Sequence, residues 1–148
     1  MTGGAYYIDE LHARAVDNGW ELTKKLTFYS AELNRFITAF PGFFTDLASV
    51  PRPLRAIVPV ANSVWRRAAV THDLLCDPIT QQSMGITQTQ ADAVLREAMI
   101  CLGVPARRAQ IVWFFVRIYQ ATWGNPKRKT IRQSTRLWNK FSNWWRSK

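Results

Sequence analysis

Four of the seven prolines, Pro41, Pro51, Pro53 and Pro59, fall between positions 41 and 59. A proline inside a helix lacks an N–H to donate and clashes with the preceding turn, so this stretch cannot run as one helix. It is expected as a long ordered loop, and long loops inside compact domains are often functional. It also divides the chain into two halves of different hydrophobic period.

Before the loop the period is that of strands. Trp20, Leu22, Leu26 and Phe28 alternate with polar neighbours, interrupted at Lys24-Lys25. That pattern predicts a half-buried strand, bulged or turned at the lysines. Arg35 to Phe40 predicts a second strand, joined through a loop at Ser30 to Asn34. Leu11 to Val16 is expected as a helical turn ending near Asn18-Gly19. After the loop the period is helical. Asn62 or Ser63 can cap a helix to about Cys76, and Pro78 and Gly85 mark a connection. Thr87, with Gln90 three residues later, forms a capping-box pattern for a helix to about Leu102, stopped by Gly103 and Pro105. A third helix is expected from about Ala106 to Thr122 and a fourth from Thr130 to Arg146. The fold class is therefore α+β: a small N-terminal antiparallel sheet, the proline-rich loop, then a C-terminal helical bundle with an extra basic amphipathic helix. Residues 1–124 form one expected domain and residues 125–148 the basic, Trp-rich helix.

Charge separates the same two units. Of the net +10, eight Lys or Arg lie in the last 24 residues, and no acid follows Glu97. The apolar fraction of 47% and seven Trp argue against a disordered chain. Two cysteines, Cys76 and Cys101, are too few for a disulfide framework and lack metal-type Cys spacing, so buried free thiols in a reducing compartment are expected. The opening MTGGAYYIDE has no basic n-region and no apolar h-region. The longest strongly apolar run, Ile111 to Val116, ends at Arg117. It falls far short of the roughly 20 residues of a membrane span. The expectation is a soluble chain made in a bacterial cytoplasm, with a membrane surface among its possible partners.

The stretch AAVTHDLLCD, residues 68–77, sets a histidine and an aspartate side by side in an apolar run. On a helix, residues three or four apart share a face, which surrounds His72 with Trp65, Ala68, Ala69, Leu75 and Cys76. Asp73 lies one step round. If the next helix packs back on this one, Asp92 reaches an imidazole nitrogen of His72. A carboxylate that holds one ring nitrogen fixes the tautomer and lets the other act as a base. The structural alternative is a core histidine satisfied by Asp92, with Asp73 capping or pairing with an arginine. Arg117, set in an apolar helix, either snorkels or pairs with Asp46, Asp73 or Asp92. Asp46 is either a third carboxylate facing His72 or an organiser of its own loop. His12 is expected to be exposed.

Two resemblances rest on these residues. The pieces GFFTDLASVPR (42–52), AAVTHDLL (68–75), ADAVLREAM (91–99) and VRIY (116–119), with residues 20–40 as leading strands, resemble the phage-associated family called domain of unknown function 1353. That resemblance implies a phage or prophage gene and a virion or assembly component, with other virion proteins as partners. Separately, AAVTHDLLCD and, after it, ADAVL are similar to the phospholipase A(2) His-Asp pattern. Carried over, it implies a calcium-assisted lipid hydrolase. His72 would be the general base, Asp92 its orienting group, Asp73 a calcium ligand, and Asp46 with Thr45 oxygen donors from the loop. Cys76 stands where that pattern has a tyrosine.

In the tail, Leu137, Phe141, Trp144 and Trp145 repeat at helical spacing beside Trp138, with Arg136 and Lys140 on other faces. Such a helix can lie on a membrane surface, meet nucleic acid through non-specific phosphate contacts, or dock on its own domain or a virion subunit.

Overall fold

The computed structural model describes residues 4–46 and 63–123, with side chains from 65 to 122 in the second segment. The proline-rich stretch beyond Asp46, the helix expected at 130–146 and the tail residues Arg136, Trp138, Lys140, Phe141, Trp144 and Trp145 lie outside the described residues.

Two three-stranded antiparallel sheets precede the helices. The first has the order β1 (Tyr6–Tyr7), β4 (Leu26–Ser30), β5 (Arg35–Ala39). The second has the order β2 (Ala13–Val16), β3 (Gly19–Leu22), β6 (Phe44–Thr45). The break at Lys24-Lys25 is where the chain leaves one sheet for the other. Leu22 and Leu26, on either side of it, share a small core with Ala39 and Val70. Inward Phe28 and Ile37 face each other across β4 and β5 and enter the main core. Asn34, at φ 50°, closes the hairpin in the left-handed region that asparagine tolerates.

The helical turn expected at 11–16 is corrected. Ala13–Val16 is a strand, paired from Ala13↔Leu22 to Val16↔Gly19 across a two-residue loop at Asp17-Asn18. Cross-strand pairing with Gly19–Leu22 outweighs the weak helical spacing of so short a segment. Gly19 is needed there for space: an added Cβ would lie 2.7 Å from the Thr45 carbonyl oxygen and from the Phe44 ring.

Four helices come next among the described residues: α1 (Ser63–Leu75), α2 (Pro78–Met84), α3 (Gln88–Cys101) and α4 (Ala106–Trp123). α2 occupies the segment expected to be a plain connection. Asp77 caps it, accepting from the Thr80 amide at 3.0 Å, and Pro78 sits in the first turn, where no N–H is needed. Gly85, at φ 66°, ends it. The capping box at α3 is present in both directions, between Thr87 and Gln90. α1 packs on α3, and α3 on α4. Buried Ala68, Ala91 and Ala98, alongside Leu75, Val94, Met99 and Val112, form the common core.

The sheets are tied to α1 by named bonds. The Tyr7 phenol meets Thr71 Oγ1 at 2.9 Å, and Arg67 pairs with Glu10 while lying over the Tyr7 ring. Arg66 lies 5.4 Å from the Trp20 ring centroid. On α3, Glu97 accepts from Ser30 Oγ and from the amides of Ala31 and Glu32, which anchors the β4–β5 loop. No helix among the described residues is long and apolar enough to cross a membrane.

Candidate functional site

His72 lies in the last turn of α1 and Asp92 in the second turn of α3. Where these two helix ends meet, His72 Nε2 lies 2.8 Å from Asp92 Oδ1. The hydrogen bond expected across twenty residues of sequence is therefore formed. Both residues are buried, Asp92 completely.

Asp92 is a hub. Its Oδ1 also accepts from the side-chain amides of Gln88 at 3.1 Å and Gln120 at 3.2 Å. Its Oδ2 accepts from Arg117 at 3.3 Å, and the same Arg117 nitrogen donates to Thr89 Oγ1 at 3.0 Å. Among the three carboxylates open to Arg117, this places it on Asp92. Burial by itself would push the Asp92 carboxyl up. The hydrogen bond and charge of His72, with the bonds from Gln88 and Arg117, outweigh that and hold it below the usual carboxylate range. Asp92 is thus an ionised group in an apolar core, stabilised by donors from α1, α3 and α4.

Cys76 completes the cluster. Four residues after His72 and directly beyond the end of α1, its Sγ lies 3.3 Å from His72 Nε2 and 3.1 Å from Gln88 Nε2. It is a buried free thiol, as expected; Cys101 is also free but only half-buried. Gln88 and Gln120 do not stand out in the sequence. Their spacing carries the signal that could have found them: Gln88 lies one turn before Asp92, and Gln120 lies three residues after Arg117, on the same face of α4.

Asp73 points elsewhere. Its Oδ2 accepts from Thr45 Oγ1 at 2.6 Å, so it fastens β6, the entrance to the proline-rich stretch, to α1. Asp46 comes directly after Thr45 and is half-buried. Calcium takes six to eight oxygen ligands. Among the described residues the group of three or more histidine, cysteine or acidic side chains close enough to share a metal is His72, Cys76 and Asp92, and it includes neither Asp73 nor Asp46. The Thr45 hydroxyl proton is already committed to Asp73. His12 is exposed, as expected.

No curated protein and no solved structure matches the chain. The model of the family described as "Protein of unknown function (DUF1353)" matches residues 20–116. That span runs from β3 to the middle of α4 and contains every residue of the His72–Asp92 cluster except Arg117 and Gln120, which lie just beyond it. It covers about two thirds of the 148 residues, and the chain belongs to the DUF1353 family.

Proposed function

We propose that the chain is a small hydrolase in which His72 is the general base and Asp92 its orienting partner. The observation that supports this reading is the 2.8 Å bond from His72 Nε2 to an Asp92 carboxylate held ionised in the core. An ionised Asp92 makes Nε2 the protonated nitrogen, so Nδ1 carries the lone pair. Nδ1 takes a proton from water, and the water oxygen attacks an ester carbonyl. Asp92 stabilises the imidazolium that forms, and the proton then passes to the leaving alcohol. The resemblance of residues 68–95 to the phospholipase A(2) pattern suggests a phospholipid ester as the substrate class. The setting belongs to the same proposal: a phage or prophage gene product, made in the host cytoplasm, whose cationic aromatic residues 125–148 bring it to an anionic lipid surface or a virion protein.

The test is fatty-acid release from anionic phospholipid vesicles by the full chain, with calcium and with chelator, beside His72→Gln and Asp92→Asn. Melting curves would show that each variant is folded. The wild type is expected to release fatty acid, and His72→Gln to lower the rate by about a hundredfold or more. A folded, vesicle-bound wild type that releases none would overturn the hydrolase. The cluster would then be a polar tie between α1, α3 and α4, and the chain a binding component of a phage particle.

A further inference from the structure

The three donors that converge in the core have a chemistry that neither calcium nor a bare histidine–aspartate pair requires. One ligand atom from each of His72, Cys76 and Asp92 lies within 4.8 Å of the other two. Nε2 lies 2.8 Å from Oδ1 and 3.3 Å from Sγ. A tetrahedral zinc ion, with bonds of about 2.0 Å to nitrogen, 2.1 Å to oxygen and 2.3 Å to sulfur, sets its N and O ligands about 3.3 Å apart and its N and S ligands about 3.5 Å apart. The two edges at Nε2 therefore need to open by about half an ångström toward oxygen and about 0.2 Å toward sulfur. His72 comes from the last turn of α1, Cys76 from the residue directly after that helix and Asp92 from α3, so the three donors sit on separate side chains that can turn toward one ion. A mixed imidazole, thiolate and carboxylate set favours zinc over calcium or magnesium.

The surroundings fit the same occupant. The Gln88 amide lies 3.1 Å from both Cys76 Sγ and Asp92 Oδ1, so it donates toward the two ligands that would be anionic. Arg117 holds the other carboxylate oxygen, Oδ2, which leaves Oδ1 turned toward the cluster. Groups that hydrogen-bond a metal's ligands from outside orient them and tune their affinity.

We propose that His72, Cys76 and Asp92 bind a thiophilic divalent cation of the zinc type, and that its binding switches off the base. The binding half stands on geometry and donor chemistry; the switching half rests on the hydrolase reading. A cation on Nε2 takes the lone pair of that nitrogen, so the ring proton must move to Nδ1. The Cys76 thiol gives its proton to solvent, and one proton leaves for each cation bound. A ring protonated on Nδ1 has no lone pair there to take a proton from water. The metal-bound state and the active base exclude each other.

Cobalt(II) added to the reduced full chain is the first probe. One equivalent is expected to give the absorption of a cobalt–thiolate bond, and zinc to remove it. The band should persist in Cys101→Ser and vanish in both Cys76→Ser and Cys76→Ala. Gln88→Ala should weaken zinc binding by about ten- to a hundredfold. No thiolate band in the folded wild type, or a band that tracks Cys101, would overturn the site. Zinc should abolish fatty-acid release by the wild type and leave the rate of Cys76→Ala, whatever its level, unchanged on addition. Equal inhibition of both would overturn the switch. A band at Cys76 with no release from the metal-free wild type would sink the hydrolase and leave the metal site standing.

Discussion

Asp92 carries more of the structure than any other polar residue described. Its two oxygens satisfy donors from His72, Gln88, Arg117 and Gln120, and its side chain is fully enclosed. Replacing it removes the acceptor of buried His72 and of half-buried Gln88, Arg117 and Gln120. Leaving a buried hydrogen-bonding group without its partner costs about 1–3 kcal/mol, and Asp92→Ala is expected to lose about that much in urea denaturation at neutral pH. The direction of its shift sets the pH dependence. The folded carboxyl titrates below the unfolded value, so its contribution is complete above the unfolded pKa of about 3.9 and drains away as pH falls through the folded one. The stability gap between wild type and Asp92→Ala should therefore be flat near neutrality and narrow below about pH 4. A gap that stayed constant into that acid range would mean Asp92 is not held ionised by the fold.

At the scale of elements, the second sheet matters because it delivers β6 to α1. Gly19 in β3 lies under Thr45, and Thr45 in turn holds Asp73. An added methyl at Gly19 would press on backbone as well as on a ring, and backbone is the less able to yield. Gly19→Ala is expected to lower stability by about 1–3 kcal/mol, the usual cost of overpacking. Asp17→Ala, an exposed change in the same hairpin, should stay within about 0.5 kcal/mol. Equal melting temperatures for the two variants would show that β6 does not need its close approach to β3. α2 shows how one pair of residues can serve opposite ends. Asp77-Pro78 has the composition of a stop, yet the same two residues are an N-cap and a first-turn proline. Both uses share one physical cause, the missing proline N–H, and only the residues after the pair separate them.

For the whole molecule, the core joins β4 and β5 to α1, α3 and α4, while the β2–β3 hairpin carries little of it. Hydrogen exchange should match that division: amides at Val70, Leu75 and Val94 to Met99 exchange last, and those at Ala13 to Val16 early. Equally slow exchange in the hairpin would mean that it belongs to the cooperative core. The sequence by itself determined what depends on near neighbours. The alternation of Trp20, Leu22, Leu26 and Phe28 predicted strand there, though as one interrupted strand where the structure has β3 and β4 in separate sheets; Arg35 to Phe40 predicted β5, the Thr87–Gln90 pair the start of α3, and the helical face of His72 that it would turn inward toward a carboxylate. These are legible because a strand period, a cap and a helix face are set by residues within four positions of one another. The tertiary structure alone decided the rest. It chose Asp92 for Arg117, sent Asp73 to Thr45, made a strand of 13–16, and brought Gln88, Gln120 and Cys76 around one carboxylate. Those outcomes depend on partners up to 28 residues apart, with several chemically equivalent candidates in the sequence. Only the packing of α1, α3 and α4 brings one of them within bonding distance.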